Sequence, residues 1–149
     1  MRARDVMRPA TVLSTDAPAS DLVQAFRRPD SRAVAVVSAR GDLIGLLIDE
    51  DLLYALLPSY VLDDEALVKV LEEDAAGELQ RRLEGKRVQD VVQVRRRGHE
   101  PVDPEATLVE VAATMVRAGD PAVLVVEDDR VAGVITADSL LPALLGRGG

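Results

Sequence analysis

Cysteine, histidine and aromatic residues are almost absent from this chain of 149 residues. It has no Cys and no Trp, only one His, one Phe and two Tyr. Without Cys, disulfides, thiolate metal sites and thiol nucleophiles are excluded. A single His excludes a His-rich metal site and leaves His99 as the only centre for a Ser-His-Asp triad. The scarcity of aromatic rings disfavours single-stranded nucleic-acid binding, which relies on base stacking.

The charge balance is acidic, with 26 Asp and Glu against 18 Lys and Arg and a net charge of −8. Most of this excess lies in residues 58–85, which hold eight acidic and three basic side chains. The segments before and after it are also net negative, and no predicted helix has a basic face, which argues against DNA binding. No apolar run of about 18 residues and no signal-peptide pattern occurs. We therefore expect a cytoplasmic protein that has no membrane segment.

An internal repeat organises the chain. Residues 13–38 align on residues 102–127 at a constant offset of 89, and residues 45–57 align on residues 133–145 at an offset of 88. In the second block, six of the 13 aligned positions are identical. A unit of about 60 residues is too small to bury a good core alone, so the two copies should pack together. The predicted domains are a first copy at 1–57, an acidic connector at 58–85 and a second copy at 86–149.

Each copy is predicted to form a short strand, a helix, a strand, a turn, a strand and a final helix. Continuous β-branched runs indicate buried strands, and apolar residues three and four apart indicate helices. The connector has the spacing of an amphipathic helix. The fold class is therefore α/β (α+β), with two βαββα repeats around a pseudo-twofold axis. The main strands are predicted at 33–37, 43–48, 123–126 and 131–135, the turns at 39–42 and 127–130, and the final helices at 52–57 and 137–145.

The order of motifs resembles a known family. Val-Met near the start, Ala-Val-Ala-Val-Val, and a Gly followed six residues later by Asp-Leu-Leu resemble the CBS (cystathionine-β-synthase) domain, and their repetition resembles a tandem CBS pair, or Bateman module. The resemblance covers residues 4–57 and 87–145. It implies a non-catalytic regulatory module with no required cofactor. Its clefts would bind an adenosine-containing ligand such as AMP, ADP, ATP or S-adenosylmethionine, and a partner protein would read the resulting change in orientation.

The family's site pattern is Gly-h-x-(Ser/Thr)-x-x-Asp, where the last strand meets the last helix. A hydroxyl and free N–H groups at a helix start hold phosphate, and the carboxylate accepts the ribose hydroxyls. The second copy has Thr136 but Ser139 in place of the carboxylate, with Asp138 beside it. The first copy has Asp51 but Ile48 in place of the hydroxyl, so we favour the second cleft. The resemblance places further pocket residues at Glu100, Pro101, Ala122 and Val123 in the second copy, and at Thr11, Val12, Arg32 and Ala33 in the first.

Each candidate also has a purely structural explanation. Thr136 and Ser139 are good residues for a helix start, so capping alone would account for them. Asp51 would be a surface carboxylate favoured by the helix dipole. The basic run at 95–97 would be a solvated loop. His99 has no nucleophile at a recognised spacing, and no metal-ligand set or phosphate loop occurs, so no catalytic or metal-binding residue is predicted.

Two functions remain open at this point. One is the ligand sensor, in which a bound adenine would rest on aliphatic side chains such as Val123 and Ile135 because aromatic rings are scarce. The other is a ligand-free structural module that docks another protein, for which the split site pattern is the argument. Leucine-rich helix faces at 52–57 and 140–145 predict a homodimer.

Overall fold

Two small β-sheets, each covered by helices, form the described part of the chain. The computed structural model describes residues 1–28, 33–57, 63, 77, 80–94 and 100–146, and only the backbone of 92–94. Most of the predicted connector helix therefore lies outside the described residues. In chain order the elements are α1 (Ala3–Val6), β1 (Thr11–Ser14), α2 (Ala19–Phe26), β2 (Ala33–Val37), β3 (Leu43–Ile48), α3 (Asp49–Leu56), α4 (Val88–Val94), α5 (Leu108–Ala118), β4 (Ala122–Glu127), β5 (Arg130–Thr136) and α6 (Ala137–Leu145).

The predicted strands and final helices are confirmed, with small differences at their ends. In the first sheet β1 pairs parallel with β2, and β2 pairs antiparallel with β3. In the second sheet β4 and β5 form an antiparallel hairpin. Its turn residues, Asp128 and Asp129, have φ angles of 52° and 62°. A two-residue turn of type I′ requires positive φ at both positions, which Asp adopts more readily than most residues.

The first strand predicted for the second copy is reduced to a single bridge. The Val102 N–H donates to the Leu124 carbonyl at 2.9 Å, and the Val126 N–H donates to the Val102 carbonyl at 3.0 Å. Pro104 follows this bridge two residues later, and proline has no N–H with which to extend the ladder. The equivalent β1 of the first copy contains no proline and pairs along four residues.

Alternate residues of each strand face opposite sides of its sheet, which separates the core into three clusters. One lies between the first sheet and helices α2, α3 and α4, and another between the second sheet and helices α1, α5 and α6. The third, which we call the inter-sheet core, joins the two sheets face to face. It consists of Ala33, Ala35, Leu46, Ile48, Ala122, Leu124 and Val134. The two copies therefore share a core, as expected for units too small to fold alone.

The first helix of each copy packs on the other copy. Helix α1 precedes the first sheet, yet Ala3 is fully buried in the core of the second copy, and its N–H donates to the Ala106 carbonyl at 2.9 Å. Helix α4 precedes the second sheet, yet Val88 is fully buried in the core of the first copy, and its N–H donates to the Ala17 carbonyl at 2.9 Å. The alignment of the two copies does not by itself predict this exchange.

The two exchanged helices begin in the same way. Asp5 Oδ2 accepts the Arg2 N–H at 2.7 Å, and Asp90 Oδ2 accepts the Arg87 N–H at 2.9 Å. In both cases an acidic side chain in the first turn satisfies a backbone donor just before the helix. The exchange therefore follows the pseudo-twofold relation between the copies, and each copy depends on the other for a helix of its core.

Candidate functional site

Thr136 lies where β5 meets α6, on the inter-sheet face of the second sheet. It pairs across the hairpin with Ala122, so both side chains point to the same face as Val134. The Ala137 N–H donates to the Pro121 carbonyl at 2.8 Å. This bond fixes the start of α6 beside the start of β4. The hydroxyl of Thr136 is thus presented at one end of the inter-sheet core.

Other predicted residues of the second cleft lie at the same end of the sheet. Pro101 precedes Val102, which bridges in parallel to Val125. Val102 and Val125 both point into the helix-side core, so the alternation of side chains places Pro101 on the inter-sheet face. Pro101 and Glu100 are both exposed. The structure therefore brings Pro101 to the same face and the same end of the sheet as Thr136.

Val123 and Ile135 do not face this cleft. Both are buried on the helix side of the sheet, in the core formed with Val111 and Leu140. The prediction that their side chains support an adenine ring does not fit this placement, because they alternate with the residues of the inter-sheet face. Val123 can face a ligand only through its backbone. Ala122 is an aliphatic side chain on the correct face.

Thr136 and Ser139 hydrogen-bond to each other at the start of α6. The Thr136 N–H and the Thr136 hydroxyl both donate to Ser139 Oγ at 3.3 Å, and the Ser139 hydroxyl donates to the Thr136 carbonyl at 2.9 Å. Ser139 therefore satisfies the backbone donor that precedes the helix, a role often taken by an acidic side chain. Both residues are part-buried. Asp138, between them, is exposed.

In the first copy a carboxylate has this capping role. Asp51 Oδ2 accepts the Ile48 N–H at 2.9 Å, and Asp51 is only 2% exposed. The interpretation of Asp51 as a surface carboxylate is therefore wrong. Ile48, which is equivalent to Thr136, is buried in the inter-sheet core. An apolar side chain thus fills, in the first copy, the position where the second copy presents a hydroxyl.

The remaining predicted residues of the first cleft follow the same geometry. Thr11 and Val12 lie on β1 beside β2, and Ala33 begins β2 opposite Ile48. Val12 is exposed on the side of the sheet that faces the other copy, as Pro101 is in the second copy. Arg32 lies outside the described residues, so its position relative to this cleft stays a prediction. The basic run at 95–97 and His99 also lie outside them.

The two helix starts differ in charge. The first turn of α3 holds Asp49, Glu50 and Asp51, whereas the first turn of α6 holds one acidic residue, Asp138. Acidic side chains suit the positive end of a helix dipole but repel a phosphate.

In the part of the chain that the structure describes, no group of three or more acidic or His side chains is placed to hold a metal ion. No helix among those residues is long and apolar enough to cross a membrane.

Sequence reasoning missed the segment that runs beside β5. The Arg8 N–H donates to the Val134 carbonyl and the Val134 N–H donates to the Arg8 carbonyl, both at 2.9 Å. A Cβ at Gly133 would lie 2.8 Å from the Arg8 carbonyl oxygen and 3.0 Å from Met7 Sδ. Only glycine permits this approach. The glycine shared by the two copies, at 45 and 133, is the sequence feature that could have indicated it.

A model of the CBS domain matches two segments of the chain, residues 3–58 and 88–146. The chain belongs to the CBS-domain family. Its two matched segments make it a tandem CBS pair, which confirms the resemblance seen in the sequence. Among solved structures it is similar to a CBS domain-containing protein of unknown function from Kribbella flavida DSM 17836. The two are 28% identical with a TM-score of 0.82, over 98% of this chain and 99% of that chain.

More distant CBS structures share the fold of this CBS pair. The CBS domain of a CBS domain containing membrane protein from Sphaerobacter thermophilus is 20% identical, with a TM-score of 0.71, over 95% of this chain and 86% of that chain. CBSX2 from Arabidopsis thaliana is 18% identical, with a TM-score of 0.71, over 97% and 94%. CBSX2 has also been solved in complex with AMP, in a structure with a TM-score of 0.65 to this chain. No curated protein matches the sequence significantly.

Proposed function

We propose that this CBS pair is a non-catalytic sensor that binds an adenosine-containing ligand in the second cleft. The ligand class is AMP, ADP, ATP or S-adenosylmethionine. The observation that carries the proposal is the difference between the two clefts. Thr136 offers a part-buried hydroxyl at the start of α6, whereas Ile48 fills the equivalent position. The AMP complex of CBSX2, a protein with the same fold, supports the ligand class.

Each residue of the second cleft has a proposed part in binding. The Thr136 hydroxyl would donate to a phosphate or ribose oxygen in place of its bond to Ser139 Oγ. Ser139 would then hydrogen-bond the ribose, which is the task of the family's carboxylate. Pro101 and Ala122 would contact the base. Glu100 and Asp138 are both exposed, so they would border the ligand on its solvent side.

The first cleft is proposed as the weaker site. Its candidates are Thr11, Val12, Arg32, Ala33 and Asp51. Asp51 is committed to the Ile48 N–H, and Asp49 and Glu50 add negative charge beside it. This environment disfavours a polyphosphate, so a nucleoside without phosphate is the ligand that would fit it best.

Binding would act through the relative orientation of the two copies or of two subunits. They share the inter-sheet core and exchange helices α1 and α4. A ligand that binds one arrangement more tightly than another shifts the population toward it, and a regulated partner protein would read that shift.

We also propose a homodimer, because large apolar side chains such as Leu53, Leu141 and Leu145 are exposed. The cytoplasmic location stays a prediction from the sequence.

A thermal-shift screen tests the ligand. At 100 times its Kd, a ligand that binds only the folded chain adds about 2.7 kcal/mol of stability. For a chain of this size, that raises Tm by about 5–10 °C. We expect such a shift with at least one adenosine ligand. GMP and CMP, which keep the ribose and phosphate, serve as controls and should shift Tm far less.

The second candidate function is a ligand-free module that docks another protein. It is favoured by one observation: Asp51 and Ser139, the residues at the family's carboxylate position, both satisfy backbone donors of their own helices. No change in Tm with any adenosine ligand at millimolar concentration would support this function and contradict the sensor.

A further inference from the structure

Arg8 lies beside the second cleft, although it belongs to the segment that precedes the first sheet. Its backbone N–H and carbonyl both bond to Val134, which makes the two residues a directly opposed pair of an antiparallel ladder. The side chains of such a pair point to the same face of the sheet. Val134 faces the inter-sheet core, so the Arg8 side chain lies on the inter-sheet face as well.

The neighbours of Arg8 in the chain agree with this orientation. Met7 packs against the helix-side core of the second copy, and Ala10 packs against the inter-sheet core. Side chains alternate along an extended segment, so Arg8 and Ala10 share one face and Met7 points to the other. Arg8 is exposed. Its guanidinium therefore lies at the solvent rim of the inter-sheet core.

Thr136 is close to Arg8 on this face. It follows Val134 by two residues on β5 and points to the same side. Arg8 and Thr136 are therefore diagonal neighbours across the antiparallel pair, with Cα atoms about 7–8 Å apart. A long side chain can span this separation. A ligand group bound to the Thr136 hydroxyl can thus contact the Arg8 guanidinium too.

The charge of Arg8 is not engaged by another side chain. Arg4 forms a salt bridge with Glu105, and Arg2 Nη1 donates to the Glu105 carbonyl at 3.3 Å. Arg8 belongs to the same short segment, but within the part of the chain that the structure describes it has no salt bridge. Its guanidinium is therefore available to an anion from solution.

We propose that Arg8 is the phosphate-binding cation of the second cleft, and that the cleft therefore selects a nucleotide over the corresponding nucleoside. A guanidinium presents two parallel N–H donors that match two oxygens of a phosphate. The Thr136 hydroxyl would donate to the same phosphate. The inference rests on the proposed function and narrows its ligand class to AMP, ADP or ATP. Adenosine lacks the anion, and S-adenosylmethionine has a sulfonium cation and no phosphate.

The first copy does not repeat this cation. Residues 5–7 align on residues 90–92, so the position equivalent to Arg8 is Gln93. The first turn of α3 also holds three acidic side chains, whereas the first turn of α6 holds one. The preference for a phosphate is therefore expected in the second cleft alone.

Isothermal titration with AMP and with adenosine tests the proposal, because the two ligands differ only in the phosphate. The wild type should bind AMP at least about tenfold more tightly than adenosine. Arg8→Gln removes the charge and keeps both backbone hydrogen bonds. It should raise the Kd for AMP at least about tenfold and leave the Kd for adenosine within about twofold. Arg8→Lys keeps the charge and should retain most of the preference for AMP.

Arg130→Gln is the matched control. Arg130 is another exposed arginine, at the opposite end of β5 from Thr136. The two residues are about 20 Å apart along the strand. This separation exceeds the Debye length of about 8 Å at physiological ionic strength. Arg130→Gln should therefore change the Kd for AMP less than about twofold, although it removes the same charge from the protein.

The outcomes separate this proposal from the proposed function. Binding of AMP by Arg8→Gln with the affinity of the wild type would overturn the role of Arg8 and leave the sensor intact. Tighter binding of adenosine or S-adenosylmethionine than of AMP by the wild type would do the same. A wild type that binds none of the adenosine ligands would contradict the proposed function and this inference together.

Discussion

Deletion of residues 1–8 should destabilise the second CBS copy by about 4 kcal/mol, although the residues that the segment contacts there are distant in sequence. This segment makes four backbone hydrogen bonds to the second copy, through the N–H groups of Ala3 and Arg4 and through both backbone groups of Arg8. Each is worth about 1 kcal/mol. Ala3, Val6 and Met7 also pack in that core. Urea unfolding of the deletion variant and the full chain measures the loss.

Hydrogen exchange locates the loss in the structure. Without residues 1–8, amides of α5 and β5 should exchange faster, and those of β2 and β3 should keep most of their protection. The mirror variant, Val88→Asp, buries a charge in the core of the first copy and should have the opposite pattern. Loss of protection mainly in the first copy after deletion of 1–8 would show that the helices are not exchanged.

Gly133→Ala should lower stability by about 2 kcal/mol, although it adds one methyl group to a β-strand. The new Cβ would lie 2.8 Å from the backbone oxygen of Arg8, and backbone cannot move aside as a flexible side chain can. The expected decrease in Tm is about 4–8 °C for a chain of this size. Differential scanning calorimetry measures it directly.

Gly45→Ala is the matched control in the first copy. No described atom lies within 4 Å of a Cβ at this position. The alanine should therefore be neutral, or stabilise by a few tenths of a kcal/mol because it restricts the unfolded chain. Equal decreases in Tm for the two variants would mean that loss of glycine from the strand, and not contact with the Arg8 segment, sets the effect.

The repeat is the reason why most of the fold could be predicted. Residues 33–37 and 122–126 show the same apolar run, and each is followed by a turn and a second strand, so each copy supports the interpretation of the other. The helix exchange could not be predicted in this way. Periodicity shows which face of α1 or α4 is apolar, but it does not show which of two similar cores receives that face.

The candidate site could also be predicted only in part from the sequence. Thr136 and Ser139 could be placed from the sequence because the pattern fixes the junction of β5 and α6, whereas Pro101 was expected in the cleft only from the family resemblance. Val123 and Ile135 were misplaced because both faces of the strand are buried, and a continuous apolar run does not reveal which residues face which side. Asp51 was predicted to be a surface carboxylate because an acidic side chain in the first turn of a helix is favoured by the helix dipole without being buried. Asp5 and Asp90 accept the same kind of backbone bond and are exposed, so the burial of Asp51 comes from its packing in the folded chain, which local sequence does not show.

Isothermal titration of the best adenosine ligand against Thr136→Ala tests the central claim most directly. The control is Thr107→Ala, which removes a threonine that caps α5 by accepting the Glu110 N–H at 3.1 Å. Thr107→Ala should cost about 1 kcal/mol of stability and leave the affinity unchanged. Thr136→Ala should weaken binding at least about tenfold, because it removes the hydroxyl that contacts the ligand. Binding by Thr136→Ala with the affinity of the wild type would contradict a site in the second cleft.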